Sequence, residues 1–283
     1  MSTLTTVKTF TWVALPALPS LSFGGPVSKA DSVTVSSTFL STLSGINLNT
    51  VSTLQIDNNN NLRQFDSQIA NITNSLNINA NGKLLAVTFP SLIWAANMTF
   101  RNISSIKIPS LATVNGSLGF YGNYMDSIAA PNLTSVGNFA TGIGSLAFVA
   151  NSKLANTSFP VLKSLGGADQ IANNTDLNAI SFPALTSVGG AIDSSGNFTT
   201  PELPRLESIK GGLTSNLNNL STALVLRHNL AERVVRSKVP SSVRPPKRPA
   251  LLTGLHLLPA LVLALALLAQ RALLCYMVLV RWL

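Results

Sequence analysis

Phe159-Pro160-Val161-Leu162-Lys163-Ser164-Leu165-Gly166-Gly167 is followed 23 residues later by Phe182-Pro183-Ala184-Leu185-Thr186-Ser187-Val188-Gly189-Gly190. The shared wording is an apolar residue, Pro, any residue, Leu, two residues, then a second aliphatic and a turn. Working outward, the phrase recurs at Phe89-Pro90-Ser91-Leu92, Ile108-Pro109-Ser110-Leu111 through Val114, Ala130-Pro131-Asn132-Leu133 through Val136, and Leu203-Pro204-Arg205-Leu206 through Ile209. Its first copy is the least regular, because Trp94 intervenes. Self-similarity at a short fixed period marks a stack of supersecondary units, none of which can bury its apolar side alone.

A second phrase alternates with the first and ends in Asn: Leu54-Gln55-Ile56 to Asn59, Leu76-Asn77-Ile78 to Asn81, Leu118-Gly119-Phe120 to Asn123, and Leu146-Ala147-Phe148 to Asn151. Taking Asn59, Asn81, Asn102, Asn123, Asn151, Asn174 and Asn197 as equivalent gives steps of 22, 21, 21, 28, 23 and 23 residues. The long step falls in Asn138-Phe139-Ala140-Thr141-Gly142-Ile143-Gly144, which reads as a loop inserted into one coil. Apolar positions alternate over four to six residues and are then broken by Asn, Gly or Pro, a strand-and-turn pattern rather than a helical one. The fold class expected is all-β, a right-handed parallel β-helix or leucine-rich-repeat-like solenoid. Its repeated Asn would form a ladder, since one side-chain amide both donates and accepts and can bond the turn of its own coil and the next. Val33-Thr34-Val35 leads to Thr38, 21 residues before Asn59, and Trp12-Val13-Ala14-Leu15-Pro16-Ala17-Leu18 echoes the same pattern, so the repeat extends to the start.

Composition agrees with β structure. Only 10% of the 283 residues are charged, too few to lace helix faces with ion pairs. The net charge of +9 is local: residues 1–222 balance to +1, and residues 223–283 carry +8. The basic run Arg227, Arg233, Arg236, Lys238, Arg244, Lys247 and Arg248 lacks the interleaved aromatics that stack on bases and is read as a linker, not a nucleic-acid site. Residues 250–269 are nearly continuous Leu, Ala, Val and Pro, long enough for a hydrophobic helix across a bilayer. The organisation expected is therefore a solenoid over 5–222, a basic linker over 223–249 and an apolar tail over 250–283. Taken literally, the basic flank and positive-inside rule make this a tail-anchored intracellular membrane protein. Taken as a processing signal, Ser241-Ser242-Val243, a spacer and the apolar run resemble a GPI-attachment sequence. Residues 1–23 read either as a weak secretory signal or as a repeat unit whose upstream partners are missing.

Nine Asn-x-Ser/Thr sites are candidate N-glycosylation acceptors: Asn71, Asn97, Asn102, Asn115, Asn132, Asn156, Asn173, Asn197 and Asn219. They favour a secreted, glycan-covered surface.

The wording of Phe182 to Gly190, of Ile171-Ala172-Asn173-Asn174-Thr175 and of Asn97-Met98-Thr99-Phe100-Arg101-Asn102-Ile103-Ser104-Ser105 resembles the fungal GPI-anchored cell-wall organisation family over roughly residues 5–213. That resemblance implies a receptor-L-domain-like fold in a glycoprotein of the plasma membrane and wall. It also implies a role in wall integrity and morphogenesis and no known catalytic activity. The family's cysteine-bearing end units are not seen, since the one cysteine is Cys275 in the apolar tail. The expectation drawn is a truncated start and, after about residue 213, a tail read from another frame or a retained intron.

Residues 1–222 contain no His and no Cys, which removes Ser-His-Asp and Cys-His nucleophiles and ordinary zinc sites from the repeats. No cofactor loop or metal site is expected, and no catalytic residue is assigned. The enzyme alternative is a β-helix polysaccharide hydrolase or lyase, drawing on Asp31, Asp57, Asp66, Asp126, Asp169, Asp176, Asp193, Glu202 and Glu207. Strand alternation would aim Asp169 and Asp193 to opposite faces. The other alternative is a carbohydrate- or protein-binding module on the flat sheet, with Trp94, Phe120, Tyr121 and Tyr124 as contacts. Partners expected are wall polysaccharide or wall proteins, and a membrane through the tail.

Overall fold

The computed structural model describes residues 5–196 and 200–217. The linker, the apolar tail with its expected helix, and the last residues of the 5–222 domain lie outside the described residues, as do Asn197 and Asn219.

The described chain is a parallel β-solenoid, and within it no helix occurs. A typical coil runs Leu118–Tyr121 on a first sheet, turns at Asn123, runs Ser127–Ala129 on a second, turns at Pro131, and runs Ser135–Val136 on a third. Each strand pairs in parallel with its counterpart one coil away: Leu118 with Met98 before it and Leu146 after it, Val136 with Val114 and Leu165. Thr50–Asp57 and Asn71–Asn79 are long enough to bend round a corner and serve the third and first sheets together, which joins those two into one sixteen-stranded sheet. Backbone groups left open by one coil are thus bonded by the next, which is why strands of only two to four residues are stable here.

Alternation places one side of every strand in the interior. On the first sheet one inward column reads Phe10, Val33, Leu54, Leu76, Met98, Leu118, Leu146, Asp169, Ile192, all buried. The adjacent column contains Phe100, Phe120 and Phe148, whose rings stack at 5.4 and 5.3 Å between centroids and 13° and 2° between planes. Coil spacing and offset ring stacking nearly coincide, so identical aromatics in register pack without strain. The irregular first Pro-x-Leu copy is resolved in the same way: Trp94 faces outward, and Ala95, fully buried and in register with Val114 and Ile72, fills the aliphatic position. Upstream, Trp12 is the register partner of Val35, so the repeat does run back to the first described coil.

The inserted loop is where the long step placed it. Asn138 and Ile143 form an antiparallel bridge, with the Asn138 N–H donating to Ile143 O at 2.7 Å. Lys210 Nζ donates to Phe139 O at 2.8 Å and lies 4.2 Å from the Phe139 ring centre. The loop is thereby tied to a coil 71 residues away in sequence.

Candidate functional site

The Asn ladder is present, with one correction. Asn59, Asn81, Asn123, Asn151 and Asn174 are buried at the turn between the first and second sheets. Each amide works in two directions. Asn151 Oδ1 accepts from Asn123 N (3.0 Å) and Asn123 Nδ2 (2.9 Å), while its Nδ2 donates to Phe120 O (3.0 Å) and Asn174 Oδ1 (3.1 Å). Asn59 and Asn81 repeat the pattern, and Thr38 begins it by donating its N–H to Asn59 Oδ1 at 3.1 Å. Asn102 is not a member. It sits one residue earlier in its turn, half-buried at φ +59°, in the left-handed position that Asn58, Gly122, Ala150 and Asn173 take in other coils. The ladder position belongs to Ile103, fully buried, whose N–H donates to Asn123 Oδ1 at 3.1 Å. Asn favours both the amide position and the left-handed position, so composition could not separate them. The signal lay in spacing: Met98-Thr99-Phe100 puts the ladder five residues on, at 103.

Asp169 and Asp193 face opposite sides of their strands. Asp169 points into the core at 2% exposure, and Asp193 is exposed on the outer face, as alternation required. Among the described residues no group of three or more His, Cys, Asp or Glu could hold a metal. Asp169 occupies an aliphatic place between Leu146 and Ile192, its Oδ1 has no hydrogen-bond partner, and burial pushes its pKa up to about 7. Sequence reasoning noted its direction, but its isolation in the Leu column needed the strand register.

Surface aromatics separate from core ones. Phe120 is buried; Trp94, Tyr121 and Tyr124 are half-buried. Tyr121 lies back along its strand over Gly119, where a Cβ would overlap the ring, and the Arg101 guanidinium stacks 4.3 Å from its centre. Trp94 is on the third sheet and Tyr124 in the turn, where Lys83 Nζ lies 5.7 Å from its ring. The three therefore do not share one face.

The seven sequons in the described part have a distribution of their own. Asn97 and Asn115 lie exposed at the corner from third to first sheet; half-buried Asn102 and exposed Asn173 lie at the corner from first to second; exposed Asn156 is on the second sheet, exposed Asn132 at the next corner and half-buried Asn71 on the third sheet. No described residue of the outward rows of the first sheet, such as Thr99, Gly119, Ala147 and Gln170, is a sequon Asn. Some sequon amides are already engaged: Asn97 Nδ2 donates to Asn74 O at 3.3 Å, and Asn132 Nδ2 to Pro109 O at 2.8 Å.

Compared with known proteins, the chain is 42% identical over 209 residues to protein ecm33 of Aspergillus fumigatus, covering 74% of this chain and 51% of that protein. It is 42% identical over 205 residues to a cell surface GPI-anchored protein of Arthroderma benhamiae, with 72% and 51% covered. Cell wall mannoprotein PST1 of Saccharomyces cerevisiae is 32% identical over 202 residues, with 71% and 44% covered. The chain thus spans about half the length of these relatives. No protein-family profile matches it, and neither does any solved structure.

Proposed function

The chain belongs to the fungal GPI-anchored cell-wall protein family, and from that premise we propose that it is a non-catalytic, N-glycosylated protein of the cell surface and wall that supports wall organisation, integrity and morphogenesis. The observation that carries this reading is the likeness itself, which covers nearly three quarters of the chain and therefore the solenoid rather than a single motif. The sequons support it, since glycans need exposed Asn, and Asn97, Asn115, Asn132, Asn156 and Asn173 are exposed. The opposite facing of Asp169 and Asp193 supports a structural role, because acid/base work on a glycosidic bond requires two carboxyls flanking it from one site.

Locating the protein in cells and treating it with endoglycosidase tests this directly. A wall or surface signal, a drop in mass on treatment, and hypersensitivity of a deletion strain to wall-perturbing dyes are expected. An unglycosylated cytosolic product would overturn the reading in favour of a tail-anchored membrane protein. Release of sugar from wall polysaccharide by the purified chain would overturn its non-catalytic part.

A second reading, a carbohydrate- or protein-binding module, is favoured by the Tyr121–Gly119–Arg101 arrangement on the first sheet, whose described outward rows hold no sequon Asn. A glycan array that gives the same signal for the wild-type chain and Tyr121→Ala would remove it.

A further inference from the structure

Strand register brings together two residues that lie 23 positions apart in sequence. On the third sheet Asn71 and Trp94 are direct register partners on adjacent coils. The residues that follow them, Ile72 and Ala95, are both fully buried, so alternation turns Asn71 and Trp94 outward on the same side. Their column otherwise consists of small hydroxyl residues, Thr50 before them and Thr113, Ser135, Ser164, Ser187 and Ser208 after them. One large aromatic therefore stands on a face built for Ser and Thr, and its neighbour is the one member of the column that begins a sequon, Asn71-Ile72-Thr73. Thr73 is exposed. Within the described residues no hydrogen bond holds the Asn71 amide, unlike those of Asn97 and Asn132.

The indole is half-buried, so part of it still faces solvent, and Ile93 beside it is 53% exposed. The first sugar of an N-linked glycan, N-acetylglucosamine, presents a flat row of C–H groups on one pyranose face. Neighbouring parallel strands lie about 4.8 Å apart, within the reach of a sugar on Asn71 laid against the indole next to it. Such stacking removes apolar ring and sugar surface from water while the hydroxyls stay solvated.

We propose that Asn71 carries an N-glycan whose innermost N-acetylglucosamine packs on Trp94, making the sugar a structural part of the third sheet. This rests on the glycoprotein reading given above. Trp94 is then a seat for the chain's own glycan and not a contact for a foreign one.

The test uses the full chain secreted from a yeast host. The three forms compared are untreated, trimmed by endoglycosidase H to the single inner sugar, and Thr73→Ala, which abolishes the sequon but keeps Asn71. Glycopeptide mass spectrometry reads occupancy, and acrylamide quenching reads the part of the fluorescence that is lost in Trp94→Phe. Occupied Asn71, equal protection of Trp94 in untreated and trimmed chain, loss of protection in Thr73→Ala, and a Tm lower by roughly 2–4 °C in that variant are expected. Trp94→Ser should erase the Tm difference between glycosylated and unglycosylated chain. An unoccupied Asn71 on a chain glycosylated elsewhere overturns the proposal and leaves the glycoprotein reading intact, whereas a chain carrying no glycan overturns both. An occupied Asn71 with the same quenching in wild type and Thr73→Ala overturns the docking alone.

Discussion

Replacing Asn151 by Ala should destabilise the solenoid far more than replacing Asn102 by Ala, although the two residues share a repeat phrase and a residue type. Asn151→Ala removes four side-chain hydrogen bonds from a fully buried turn. It strands the backbone N–H of Asn123 and one of the two amide hydrogens of Asn123, and it takes donors from Phe120 O and Asn174 Oδ1. A buried donor left without a partner costs about 1–3 kcal/mol, so two of them give a loss of roughly 2–6 kcal/mol. Asn102 makes no ladder bond, and its replacement costs only the preference of Asn over Ala for a positive φ, about 1 kcal/mol. Because stability in a stacked array is local, urea denaturation should be read together with hydrogen exchange, where the Asn123 amide should lose protection in Asn151→Ala and keep it in Asn102→Ala. Unglycosylated material avoids confounding the second variant with its lost sequon. Equal midpoints for the two variants, or an Asn123 amide that stays protected without the Asn151 side chain, would refute the ladder as assigned.

Asp169 supplies a pH dependence. Its folded pKa of about 7 lies above the ordinary 3.8 because burial disfavours the charged form. The folded chain therefore holds a proton that the unfolded chain releases, and stability should fall as pH rises from about 4 to 7, by roughly 4 kcal/mol at most; Asp169→Asn should flatten that slope in a series of melts. Glycine demands should also separate by position. Gly189→Ala places a Cβ against Gly166 O in the neighbouring coil and should cost about 2 kcal/mol or more, while Gly142→Ala meets nothing within 4 Å and should cost only about 1 kcal/mol for its positive φ. Thermal melting of the pair checks the order.

Much of this molecule is legible without coordinates because a solenoid is nearly one-dimensional. The period of the Pro-x-Leu phrase gave the length of a coil, alternation within each unit put Leu118 and Leu146 inside, and the 28-residue step located the Asn138–Gly144 loop. Such features depend on residues close together in the chain, whose geometry is set by local backbone rules.

What sequence alone determined was the all-β stacked architecture, the turn amides at Asn59, Asn81, Asn123, Asn151 and Asn174, the lack of His and Cys in the repeats, and the wording shared with fungal wall proteins. Register between coils was decided only in three dimensions, because it depends on which backbone carbonyl meets which amide across a gap of some 20 residues, and an offset of one residue reverses a side chain's face. That register put the Asp169 carboxyl among leucines. The same pairing brought the indole of Trp94 beside the sequon at Asn71, a meeting that no count along the chain could reveal.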